Sequence, residues 1–243
     1  MKIEKLIELG YLFVCNHSGG KDSQAMYIHL REIIPPEQLI IIHAHLPGVE
    51  WEETIEHINR YASHPVHVVQ SKKTFFDMVH HRGMFPSPKN RQCTSDLKRA
   101  PIEKEIRRIA KERGTTRIVN CMGLRAQESS GRANKSEFKM NRKNSVAGRR
   151  WYDWLPIHKL STKEVFQAIR DAGEKPHWVY AAGMTRKSCC FCIMASKEDL
   201  KTAAKLKPEL LAQYVETERK YDQTMMMPTK KEGRRFLDEI INK

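Results

Sequence analysis

No apolar run in the 243-residue chain reaches the roughly 18 residues that a membrane-spanning helix needs, so no such helix is expected. The opening residues, MKIEKLIELG, carry acids inside their apolar stretch and contain no apolar h-region. A secretory leader is therefore not expected there, and the expected location is the cytoplasm. Acids are scarce, with 29 Asp and Glu against 43 Lys and Arg. The formal net charge of +14 and pI of about 9.6 point to a polyanionic partner such as DNA or RNA, with a basic but merely soluble enzyme as the plainer alternative. Hydrophobic residues, at 40%, are somewhat few for a globular protein but can fill a core. Internal repeats and low-complexity tracts are absent. Structural disulfides are not expected either, because cytoplasmic thiols are kept reduced; the six cysteines read as free, metal-bound or redox-active.

What is present alternates. Residues 2–9 suggest a short helix, and YLFVCN (11–16) a strand. Gln24 to Arg31 suggests a helix stopped by Pro35–Pro36. QLIIIHAHL (38–46) and PVHVVQ (65–70) read as strands, with a helix from Glu52 to Tyr61 between them. Pro101 can open a helix that sets Ile102, Ile106 and Ile109 on one face, followed by a strand at RIVNCMGL (117–124). This alternation predicts an α/β fold: a mostly parallel sheet with helices on both faces and binding loops at the C-terminal strand ends. Residues 127–150, polar and basic, read as a mobile or substrate-ordered loop. TKEVFQAIRDAG (162–173) reads as an amphipathic helix with a glycine stop, and helix resumes from Lys197. The expected organisation is one domain over 1–196 with a helical extension over 197–243.

Directly after the first strand stands SGGKDS, Ser18 to Ser23. Gly19 and Gly20 permit backbone angles closed to other residues and let a ligand approach the main chain. The unpaired N–H groups of the following helix start favour anions, Ser18 and Ser23 add hydroxyls, and Lys21 adds charge. Asp22 would repel a bare phosphate, so its expected task is to orient the loop or hold Mg²⁺. The spacing is neither G-x-x-x-x-G-K-[ST] nor G-x-G-x-x-G. SGGKDS resembles the PP-loop of the N-type ATP pyrophosphatases, in which ATP is split to AMP and pyrophosphate and AMP activates a substrate oxygen for replacement.

Three further stretches follow in order: RQCTSDLKRAP (91–101), GLRAQESSGRA (123–133), and WLPIHKLSTKEV (154–165) with YAAGMTRKSCCFC (180–192). Together with SGGKDS they resemble the phosphoadenosine phosphosulfate (PAPS) reductase family over residues 11 to 200. The resemblance implies an adenine-nucleotide alpha-hydrolase-like, Rossmann-like fold. It places Gly123, Arg125, Glu128 and Arg132 beside the loop residues in an ATP site, with Lys21, Asp22, Lys98 and Arg125 as the catalytic set. Lys98, Arg125 and Arg132 suit phosphates, and Glu128 suits an arginine or a metal.

CCFC places Cys189 and Cys192 in a C-x-x-C knuckle around Cys190, and Cys93 makes a fourth thiol. Four thiolates suit an iron–sulfur cluster or zinc. Adenylyl-sulfate reductases are similar and carry [4Fe–4S], but there a tandem cysteine pair stands where this chain has Cys93–Thr94. Cys190 replaces the missing ligand, or one iron stays open. Cys15 and Cys121, in apolar strand contexts, read as buried and inert. Sulfonucleotide reductases use a cysteine in a C-terminal E-C-G-[LI]-H-type tail, and no cysteine follows Cys192 in this sequence. The nearest resemblance is thus to the ATP-pyrophosphatase component of DNA phosphorothioation systems. It implies a nucleic-acid substrate (DNA before tRNA), a cysteine desulfurase as sulfur donor, and other modification-system subunits as partners. tRNA thiolation and reduction of a free sulfonucleotide are the alternatives.

Overall fold

The structure, a computed structural model, describes residues 2–242. The chain divides into two compact units. The first comprises the residues up to His43, Glu53–Val69 and Ile102–His177; the second comprises Ala44–Glu52, Gln70–Pro101 and the residues from Trp178 on. Residues 197–242, expected as a helical extension of the domain over 1–196, lie in this second unit, where their apolar side chains share a core with residues far upstream.

In chain order the elements are α1 (Ile3–Glu8), β1 (Leu12–Asn16), α2 (Lys21–Ile33), β2 (Leu39–His45), α3 (Thr54–Tyr61), β3 (Val66–Gln70), α4 (Phe75–Arg82) and the short α5 (Gln92–Thr94). A π turn over Ser95–Arg99 leads into α6 (Ala100–Glu112), followed by β4 (Arg117–Met122), α7 (Ser130–Ala133), β5 (Phe138–Met140), β6 (Arg150–Trp154) and α8 (Thr162–Asp171). The chain closes with α9 (Lys197–Leu206), α10 (Pro208–Tyr221) and α11 (Leu237–Ile241). The six strands form one sheet in the order β3-β2-β1-β4-β6-β5. β1 is parallel to β2 and β4, β4 is parallel to β6, and β5 runs antiparallel along β6 at the edge. β5 and β6 lie partly inside the stretch read from sequence as a loop. Their signal is faint, because an edge strand of three residues offers too few alternations to register.

The central strands explain their own composition. Phe13 and Cys15 face one apolar layer with Met26 and Leu30 of α2 and Val165 and Ile169 of α8. Leu12 and Val14 face the opposite layer with Ile106 and Ile109 of α6. Alternate residues point to opposite faces, so a parallel strand covered on both is apolar over most of its length. In the second unit, Tyr214 anchors the core, its ring centroid 5.2 Å from Phe191, 5.5 Å from Phe75 and 6.0 Å from Phe85. Its hydroxyl donates to the Phe191 carbonyl at 3.4 Å.

β1 ends where α2 begins, and β4 ends beside it. A Cβ on Gly123, just past β4, would stand 3.0 Å from the Asp22 carbonyl oxygen and 3.2 Å from the Ser23 nitrogen. Only glycine lets the β4 end approach the first turn of α2 this closely. Gly123→Ala is expected to lower unfolding stability by about 1–3 kcal/mol in urea titration, since the displaced atoms are backbone; an unchanged midpoint would show that the first turn of α2 shifts freely.

Cys15 and Cys121 are fully buried, and burial drives both thiols far above the ordinary range. In the native protein at mildly alkaline pH both are expected to resist iodoacetamide and to react only after unfolding. Native-state labelling of either, read by peptide mass, would contradict this packing.

Candidate nucleotide and thiol sites

The SGGKDS loop of the first unit is held by its own hydroxyls. Ser23 Oγ donates to the Gly20 carbonyl at 2.9 Å and accepts the Ser18 N–H at 3.1 Å. That leaves the Ser18 hydroxyl as the donor in its 3.2 Å contact with Ser23 Oγ. Gly19, at φ 74°, takes the left-handed turn that other residues resist, and its N–H donates to His17 Nδ1 at 3.1 Å. Gly20 is extended and caps α2, whose first intrahelical bond runs from the Gln24 N–H to the Gly20 carbonyl at 3.0 Å. The amide groups of that first turn and the positive end of the helix dipole make the loop a place for an anion.

Asp22 is bracketed. Its Oδ2 meets Lys21 Nζ at 3.0 Å, and its Oδ1 accepts from Arg125 Nε at 2.6 Å. Arg125, buried, donates further from Nη1 to the Leu160 carbonyl at 3.1 Å and to Gln127 Oε1 at 3.0 Å, and from Nη2 to Thr162 Oγ1 at 3.1 Å. Arg125, expected on phosphates, thus has its guanidinium on four protein acceptors. Its backbone N–H donates to Glu128 Oε2 at 2.9 Å, and Glu128 also pairs with Arg132. Ser18 to Ser23, Gly123, Arg125, Glu128 and Arg132 therefore all lie in the first unit, linked by direct contacts from Lys21 to Arg125 and from Arg125 to Arg132. Gln127 and Thr162, absent from the sequence reading, complete the bracket: Gln127 Oε1 also accepts the Thr162 N–H at 2.8 Å.

Lys98 lies in the second unit with the thiols. Burial disfavours its charge, yet Cys189, Glu50, Cys192 and Cys93 outweigh this and raise its pKa. Burial also pushes the Cys189 thiol up to about 11, against the pull of Lys98, and raises Cys93. Glu50 joins this group: Oε2 meets His45 Nδ1 at 2.8 Å, and Oε1 stands 3.5 Å from Lys187 Nζ. Burial presses Lys187 down to about 8, partly offset by Glu50. Glu50 carried no motif, since an isolated acid in LPGVEW gives no sequence signal, and Lys187 lies inside the stretch 180–192 without having been singled out.

The four thiols divide. Cys93, Cys189 and Cys192 pack at the margin of the apolar core, whereas Cys190 is inside it, with its N–H donating to the Val49 carbonyl at 2.9 Å and its thiol pushed up to about 12 by burial. The knuckle is fixed from behind by Asp199, which accepts from both the N–H and the hydroxyl of Thr185 at 2.7 Å. Among the described residues no three cysteines bring their sulfurs within 4.8 Å of one another. A single tetrahedral zinc with bonds of about 2.3 Å would hold them roughly 3.8 Å apart.

Removing the bracket has a measurable expectation. Arg125→Ala leaves Asp22 and three further acceptors without their donor, and is expected to destabilise by at least about 2 kcal/mol in chemical denaturation. In a double-mutant cycle with Asp22→Ala a coupling of about 0.5–3 kcal/mol is expected; additivity would contradict the bracket.

The geometry can be set beside known proteins. Residues 13–195, three quarters of the chain, match the phosphoadenosine phosphosulfate reductase domain. An uncharacterized 37.8 kDa protein in the gpa 5′ region of Escherichia phage 186 is 31% identical over 145 residues, 60% of this chain and 42% of that relative. The match thus spans less than half of the relative's length. Phosphoadenylyl-sulfate reductase from Candida auris shares the fold with a TM-score of 0.51 at 11% identity, covering 78% of this chain and 88% of that one. FMN adenylyltransferase from Candida glabrata, solved with FAD and inorganic pyrophosphate, reaches the same TM-score at 13% identity, covering 74% of this chain and 55% of that one. With Phe13–Asn16 of its first strand, its loop and its thiol knuckle inside the matched residues, the chain belongs to the phosphoadenosine phosphosulfate reductase domain family.

Proposed function

We propose that the chain is an ATP pyrophosphatase that adenylates an oxygen of a nucleic acid and lets sulfur replace it, with the DNA backbone as substrate. The observation that carries this reading is the Ser18–Ser23 loop, whose hydroxyls are bonded inward and whose acid is neutralised by Lys21 and Arg125, leaving a helix start suited to a diphosphate. In the first step a non-bridging phosphate oxygen attacks the α-phosphorus of ATP, and pyrophosphate departs into the loop. In the second, sulfur at the hydrosulfide level attacks the activated backbone phosphorus, and AMP leaves with the oxygen. Mg²⁺ would accompany the triphosphate. A cysteine desulfurase is the fitting source of sulfur; a dithiol reductant would release its persulfide sulfur as hydrosulfide and leave as a disulfide, and other subunits of a modification system would present the DNA.

Cys93, Cys189 and Cys192 are the residues that would hold an iron–sulfur cluster, read here as [4Fe–4S], with Cys190 in the core they pack against. When bound, such a cluster supplies an iron able to accept a soft ligand or an electron. Lys98 balances the charge of the thiolates, and Glu50 holds Lys187 near them.

With ATP and DNA the protein is expected to release AMP and pyrophosphate, and Lys21→Ala is expected to lower the rate by about 100-fold, the loss typical of one donor to developing phosphate charge. Sulfite formed from PAPS without ATP consumption would overturn the reading in favour of reduction. A thionucleoside lost from tRNA in cells lacking the gene, with no phosphorothioate in DNA, would move the substrate to tRNA.

After anaerobic purification, Cys93→Ala, Cys189→Ala and Cys192→Ala are each expected to lose bound iron and the brown iron–sulfur absorption, while Cys190→Ala keeps both. Stoichiometric zinc without iron would overturn the cluster assignment.

A further inference from the structure

The basic segment read from sequence as a mobile loop is a built hairpin of the first unit, formed by β5, the turn 141–149 and β6. Asn141 and Ser145 are used to order it, whereas Asn144 accepts from Arg107 Nη1 at 3.5 Å and leaves its own buried amide nitrogen without a partner. The Asn141 N–H donates to the Trp151 carbonyl at 2.8 Å, and Ser145 Oγ donates to the same carbonyl and accepts the Trp151 N–H, both at 3.1 Å. Asn141 and Asn120 donate their amides to Asp153, the carboxylate opposite Lys139 in the ladder. At the tip Ala147 (φ 53°) and Gly148 (φ 78°) are consecutive left-handed residues, a turn that a non-glycine residue adopts at a cost.

The cations are left in water. Residues 135–150 contain Lys135, Lys139, Arg142, Lys143, Arg149 and Arg150 against the single acid Glu137, five of the fourteen net positive charges in sixteen residues. Five of the six are exposed, and Arg149 is half-buried. Among the described residues none of the six pairs with a carboxylate; Glu137 is taken by Lys159 at 2.8 Å. Arg150 also stands in register with Arg117 across the β4–β6 ladder. Like charges on facing rungs oppose one another unless an anion lies between them. Lysine on an edge strand also discourages edge-to-edge pairing, but Lys139 alone does that for a three-residue strand. The cations of the turn and of Arg150 lie beyond it.

We infer that this edge hairpin is the docking surface for the phosphate backbone of duplex DNA. The inference rests on the reading of the substrate as nucleic acid and assigns the surface that holds it. Duplex rather than single-stranded nucleic acid fits, because the large apolar side chains exposed here are Met140 and Val146, while Phe138 is half-buried and stacked on Tyr152 at 5.0 Å. No aromatic face among residues 135–150 is open to stack on splayed bases. Backbone binding through lysine and arginine releases counterions and therefore weakens with salt, with a slope near 0.9 per phosphate contact.

The test is fluorescence-anisotropy titration of the full chain with a short duplex DNA and a single-stranded RNA across a salt series. The variants are Lys139→Gln/Arg142→Gln/Lys143→Gln and a matched control, Lys205→Gln/Lys220→Gln/Lys230→Gln. Circular dichroism and ATP affinity report that each folds. The hairpin variant is expected to bind duplex DNA at least about tenfold more weakly, with a log–log salt slope smaller by about 2.7, while the control variant stays near wild type. Wild-type affinity and slope in the hairpin variant would overturn the inference while leaving a nucleic-acid substrate standing, and so would an equal loss in the control variant. Tighter binding of the RNA, lost in the hairpin variant, would overturn duplex DNA as the occupant. Binding of neither nucleic acid by the wild type would remove both this inference and the substrate reading beneath it.

Discussion

The carboxylate of Asp22 sits between the ammonium of Lys21 and the guanidinium of Arg125, and the first turn of α2 depends on that contact. An acid at the second position of a helix meant for an anion would repel its ligand if left bare. Held on both oxygens by cations, it becomes a strut between the loop after β1 and the segment after β4. Arg125 passes the constraint on to Gln127, Thr162 and the Leu160 carbonyl, so that the start of α8 is set by the same guanidinium. Gly123 makes the strut short enough by removing the side chain that would part the two segments.

The second unit solves a different electrostatic problem. Buried thiols resist ionisation, and each additional thiolate raises the cost for the next. Here Lys98, raised by those same thiols, and Lys187, held by Glu50, put two ammonium groups among them. The knuckle itself is made rigid by Asp199 on Thr185 and by the Cys190 amide on Val49. A soft metal centre would be met by preset sulfurs whose ionisation the lysines already favour.

How much of this could be read in the sequence depends on what each motif encodes. The apolar runs at β1 and β2 gave their strands directly, because a strand covered on both faces is apolar over most of its length, and the two glycines with flanking serines marked the loop. The order of four motifs gave the family. Spacing locates a residue without naming its partner: a guanidinium suits phosphate and carboxylate alike, so the motif marked Arg125 without disclosing its contact with Asp22. Cys190 looked equivalent to its neighbours until its backbone tie to Val49 and its burial set it apart. Glu50 was silent because its meaning arises only on folding, and Lys187, inside the stretch 180–192, showed no partner until Glu50 was placed beside it. The hairpin of β5 and β6 was hidden by its charge, since cations that face solvent say nothing of the Asn141, Ser145 and Asp153 bonds that order the backbone beneath them.

The central claim is that the main-chain amides of the Ser18–Ser23 loop hold the diphosphate of ATP. Hydrogen–deuterium exchange of the whole chain, with and without magnesium–ATP, tests it most directly. The account predicts slower exchange at residues 19–24 on nucleotide binding, and the same slowing with pyrophosphate alone. Nucleotide binding that protects other segments and leaves the exchange of this loop unchanged would contradict it.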